Sequence, residues 1–171
     1  MEDRDPGSSR RRAREVALQV LYAIDVARGR LHADGVESGS STANSESEDP
    51  RAEAVASAPD LAFEAVAAHF EMPEGAREFA RELVVEVRGH IEELDHSISG
   101  HAANWRIDRM AAVDRNILRL GTYELAHTAT PAPVILNEAV DLARRFSNDP
   151  SPAFVNGILD AVARVVRECE S

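Results

Sequence analysis

Arg10, Arg11 and Arg14 are the residues of this chain best suited to chemistry with a ligand. Guanidinium groups pair with phosphates through two hydrogen bonds and stack on bases. At about 100° per residue the three share one arc of a helix, and Leu18 and Tyr22 continue that arc. Cations followed by an exposed apolar patch with an aromatic ring suit unpaired nucleotides or a protein partner. The same residues also suit a solvated basic helix start that binds nothing. Arginine at a helix N-terminus opposes the helix dipole, which favours an external anion there.

Other chemistry is hard to find. There is no glycine-rich phosphate loop and no cysteine or histidine pair at zinc spacing. The six histidines, His69, His90, His96 and His101 among them, are scattered and read as surface residues. Cys169, the single cysteine, has no evident base, and one cysteine cannot build a disulfide framework within the chain. No carboxylate pair stands out as general acid and base. The expectation is a protein that is not an enzyme, with no cofactor and no metal ligands. The net charge is −11 and all 19 basic residues are arginine, so any nucleic-acid contact must be local. The first residues, MEDRDPGSSRRR, hold no apolar run of the signal-peptide kind, and no stretch reaches the roughly 20 apolar residues of a membrane helix. That predicts a cytoplasmic protein with no membrane partner.

The elements that must position these residues are helical. The 171 residues are 44% hydrophobic but only 5% aromatic, and no window alternates like a strand. Ala13, Val16, Ala17, Val20, Leu21 and Ile24 form the packing stripe of a first helix that should end near Gly29. Residues 1–9 read as disordered, and 10–171 as one helical domain interrupted at 32–59. From 32 through Asp60 there are seven acids and one arginine, Arg51, so this segment reads as a flexible acidic insertion. Phe63, Val66, Ala67 and Phe70 mark a short helix. Ala80, Leu83, Val84, Val87, Ile91, Leu94 and Ile98 predict one long core helix over 76–98. Trp105 then reads as a packed anchor, and Asp108 as the cap of the next helix. Met110, Val113, Ile117, Leu120, Gly121 and Leu125 give that helix its buried stripe. Gly121 within it predicts a close helix approach, and Glu124 a buried carboxylate that needs a partner. Helices over 134–146 and from Ser151-Pro152 onward complete the chain, with Phe154 half exposed at the edge of the last stripe.

Four segments in order, RRRAREVALQVLYAIDV near the start, VDRNILRLGTYEL at 113–125, PVILNEAVDLARRF at 133–146 and FVNGILDAV at 154–162, resemble the transcription antitermination factor NusB family. The resemblance covers 10–28 and 104–167 well. It implies an all-α fold of two small helical bundles packed together, and no catalysis. It implies binding of boxA-type RNA in leader and ribosomal RNA transcripts, together with the ribosomal protein NusE. The setting would be the transcription elongation complex, with RNA polymerase and other Nus factors. By the same resemblance Arg10, Arg11, Arg14 and Phe154 contact RNA, Asp114 contacts NusE and Tyr22 lies near that NusE surface. Tyr22 and Asn156 are further RNA-binding candidates, and Leu18, on the same arc as Tyr22, is a further candidate for the NusE surface. Some family members dimerise, so a homodimer stays open. Two departures stand out: the insertion at 32–59 is long for the family, and the loop SNDPSPA lacks a basic residue seen in some relatives. Two alternatives also stay open: a non-catalytic helical scaffold, and an RNA-binding domain of the kind fused to RNA cytosine methyltransferases.

Overall fold

The computed structural model describes residues 6–36, 58–73 and 75–169. Among them are seven α-helices and no strand. The helices are α1 (Pro6–Val36), α2 (Pro59–Ala67), α3 (Ala76–Gly89), α4 (Ile91–His101), α5 (Ala112–His127), α6 (Ala132–Phe146) and α7 (Ser151–Cys169). A single 3-10 turn, Ile107–Arg109, precedes α5. The chain divides into two compact units, residues 1–84 and 85–171, with the division inside α3.

In the first unit α1 packs on α2. The expected stripe of Ala13, Val16, Ala17, Val20, Leu21 and Ile24 is buried, as are Ala62, Phe63 and Ala67 of α2. α1 is longer at both ends than the sequence suggested. It begins at Pro6, inside the span expected to be disordered, because proline is well tolerated in a first turn. It continues through Gly29 to Val36, so 32–36 of the expected flexible insertion are helical. Glycine costs a helix only about 1 kcal/mol against alanine. Residues 37–57 of that insertion lie outside the described residues. Gly75 enters α3 with φ at 81°, a conformation that a side chain would oppose.

The single helix expected over 76–98 is two helices. Between them His90 leaves helical geometry, with φ −103° and ψ 13°. Its ring Nδ1 lies 2.9 Å from the Glu86 carbonyl oxygen, and Gly89 ahead of it is a poor helix former. The expected apolar positions still face inward: Leu83, Val84 and Val87 from α3, Leu94 and Ile98 from α4.

The second unit is built around α5, which packs against α4, α6 and α7. Ile117, Leu118 and Leu120 are fully buried, and Glu124 is buried as its place in the stripe required. The Arg119 guanidinium bonds both carboxylate oxygens of Asp95 at 2.6 and 2.7 Å, joining α5 to α4. Asp108 does not cap α5. It sits in the 3-10 turn, bonded to Arg106 at 2.9 and 3.1 Å, which holds its carboxyl below the ordinary range, and α5 starts after Ala111 without a side-chain cap.

Gly121 is the expected point of close approach. A Cβ there would stand 2.7 Å from Leu159 Cδ1 of α7, and Leu159 is itself fully buried. Gly121→Val is therefore expected to overpack this contact and destabilise the fold by about 1–3 kcal/mol. A lower urea midpoint with an unchanged slope would register it, and an unchanged midpoint would show that Leu159 swings aside freely.

Candidate nucleic-acid interface

The three arginines of the basic arc do not share one environment. Arg10 and Arg11 are exposed at the start of α1, whereas Arg14 is only 3% exposed. Phe79 of α3 organises them. The Arg10 and Arg14 guanidinium carbons lie 5.6 and 5.7 Å from its ring centroid, within cation–π range. Arg12 turns aside, pairing with Glu15 at 2.9 Å and lying 5.4 Å from the Phe70 ring. Arg10 and Arg11 thus form the exposed cationic patch, with Arg14 packed behind it.

Leu18 is a second correction. It was expected on an exposed apolar arc, but it is 2% exposed, whereas Tyr22 one turn on is 43% exposed. Residues 13–18, 20 and 21 are all buried. A helix enclosed on nearly every side has no free second face, and only its tips and scattered positions meet solvent.

In the second unit Phe154 is half-buried in the first turn of α7, as expected, and Asn156 is exposed. Trp105 is not the packed anchor that its size suggested. It is 58% exposed and meets Phe154 edge-on, with ring centroids 5.4 Å apart and planes at 63°. Its neighbours Ala103, Asn104 and Arg106 are exposed too, so residues 103–106 lie on the surface. The signal missed in the sequence is that Trp105 belongs to no apolar period.

Asp114 lies near the start of α5, 8% exposed. The hydroxyls of Ser147 and Ser151 donate to its two carboxylate oxygens at 2.7 and 2.8 Å. Those serines flank the α6–α7 loop, so the carboxylate fastens that loop to α5. The histidines are not all scattered either: the His90 and His127 rings stand 4.5 Å apart.

Residues 11–164 match the family model described as the NusB family. The chain belongs to the NusB family. Transcription antitermination protein NusB of Solibacter usitatus (strain Ellin6076) is 42% identical over 94% of this chain and 92% of its own length. The protein of the same name from Myxococcus xanthus (strain DK1622) is 41% identical over 91% of this chain and 94% of its own. Among solved structures, T. maritima NusB matches with a TM-score of 0.66 at 27% identity, covering 91% of this chain and 90% of that one. A chain in the crystal structure of antitermination factors NusB and NusE in complex with double-stranded RNA matches with a TM-score of 0.68. The identity there is 29%, over 92% of this chain and 98% of that one. The all-α architecture is thus that of NusB structures. No described helix of this NusB-family chain is long and apolar enough to cross a membrane.

Proposed function

We propose that this chain is a transcription antitermination factor that binds boxA-type RNA of ribosomal RNA leaders together with the ribosomal protein NusE. It would act within elongation complexes that hold RNA polymerase and other Nus factors. The observation that carries the reading is the exposed Arg10–Arg11 patch on a chain of net charge −11. The curated relatives are named for antitermination, and a structural neighbour was solved with NusE and RNA, which supports both partners. Arg10 and Arg11 pair with phosphates, while Arg14 and Phe79 fix the start of α1 from behind. Phe154 and Trp105 offer ring surfaces to unpaired bases, with Asn156 beside Phe154 as a polar contact. For the protein partner, Tyr22 is the exposed ring, Leu18 supports α1 from within, and Asp114 sets the loop between α6 and α7.

The reading is tested by titrating a boxA-containing RNA and a scrambled control, with and without NusE. Equal affinities for both RNAs under both conditions would overturn it. Trp105 is the single tryptophan, so its fluorescence reports directly on RNA at the Trp105–Phe154 rings. RNA is expected to quench it, and Trp105→Ala to weaken binding by about 1 kcal/mol or more, roughly fivefold. Unaltered fluorescence and affinity would remove Trp105 from the interface.

A further inference from the structure

Within the second unit three side chains converge that the proposed RNA and NusE contacts do not involve. His90 sits at the junction of α3 and α4, Glu93 lies in the first turn of α4, and His127 in the last turn of α5. One nitrogen or oxygen atom from each lies within 4.8 Å of the others. His127 Nε2 is 3.2 Å from Glu93 Oε1, close to the roughly 3.4 Å between neighbouring ligands of a tetrahedral zinc ion. Glu93 is exposed, and its flexible side chain can close the remaining distance.

The ring geometry favours a metal over a simple ion pair. His90 Nδ1 lies 2.9 Å from the Glu86 carbonyl oxygen. A carbonyl only accepts, so Nδ1 donates the hydrogen and Nε2 keeps its lone pair when the ring is neutral. An imidazole fixed through one nitrogen by a backbone carbonyl is the usual arrangement of a metal-ligating histidine. Tyr123 stacks on the His127 ring at 5.2 Å with planes 25° apart, and also meets His90 at 5.7 Å. Both imidazoles are thereby held, and the Glu86 carboxylate, 3.7 Å from His90 Nδ1, adds negative charge nearby. Two imidazoles and one carboxylate suit zinc-type ions rather than Mg²⁺ or Ca²⁺, which prefer oxygen alone.

We propose that His90, Glu93 and His127 form a binding site for one divalent transition-metal ion of the zinc type, with a fourth position open to water. The bound ion would tie the α3–α4 junction to the end of α5.

The test uses the full chain, stripped with a chelator and titrated with Co²⁺. One equivalent is expected to give the visible absorption of a tetrahedral centre, to be displaced by Zn²⁺, and to raise the unfolding temperature. His90→Ala and His127→Ala should each abolish the signal, and Glu93→Gln should weaken Zn²⁺ binding about tenfold or more. His69→Ala and His96→Ala, at exposed positions elsewhere, should leave it intact. Failure to bind one equivalent overturns the proposal, and so does binding that survives in His90→Ala and His127→Ala. If those variants do not fold, the imidazole proton resonances of the parent decide. Those of His90 and His127 must shift together on adding Zn²⁺, and a shift confined to other histidines overturns the site.

Discussion

Replacing Arg10 and Arg11 together with alanine is expected to weaken RNA binding by about 2 kcal/mol or more at low salt, roughly thirtyfold. Both residues are exposed on a strongly acidic chain, and the neighbouring Arg12 is paired with Glu15. Each phosphate contact on a single strand contributes about 0.7 to the slope of log affinity against log salt. The double variant should therefore lose about 1.4 of that slope, and the gap between parent and variant should narrow as salt rises. Helical circular dichroism should stay the same, because neither side chain is part of the core. Arg14→Ala separates the two roles of the arc. That residue is buried against Phe79, so its loss should lower stability as well as affinity. An unchanged salt slope in the Arg10/Arg11 double variant would place the RNA elsewhere.

Asp114→Ala is expected to cost about 2–4 kcal/mol of stability and to release the α6–α7 loop. It removes a nearly buried carboxylate and leaves the Ser147 and Ser151 hydroxyls with only their bond to each other. Asp114→Asn keeps the shape and one carbonyl acceptor, so its loss should be smaller. A charge reversal at this position would tear the same bonds, so a loss of NusE binding by Asp114→Arg would not by itself show direct contact. The Ser147→Ala/Ser151→Ala pair distinguishes the roles, because it frees the loop and leaves the carboxylate in place. The expected result is that the serine pair lowers NusE affinity nearly as far as Asp114→Ala does. Then Asp114 is a positioning residue for the loop. NusE binding that survives in the serine pair but falls in Asp114→Asn would instead make the carboxylate a direct contact. Calorimetric titration of NusE, with urea unfolding of each variant, separates binding from folding.

Asp114 also illustrates the limit of one-dimensional periodicity. Its place beside the α5 stripe was legible from Val113 and Ile117, but its serine partners stand more than 30 residues away. Helix existence was legible because burying one face of a helix forces a 3.6-residue period on the sequence. The stripe from Ala13 to Ile24 and the close approach at Gly121 follow from that rule, and both are present. The same rule cannot say whether a second face is covered. Arg14 and Leu18 lie off the stripe, yet both are buried, because α1 is enclosed on nearly every side. An unbroken apolar period likewise ran through Ile91, although the backbone turns at His90 and divides the expected helix. Trp105 went the other way, with an apolar ring left 58% exposed and set edge-on against Phe154. The sequence by itself determined that the chain is helical, which residues form the inner faces and where the basic start of α1 lies. The tertiary structure decided which arginines stay exposed and which distant groups meet, because side chains such as His90 and His127 come together only when α4 packs on α5.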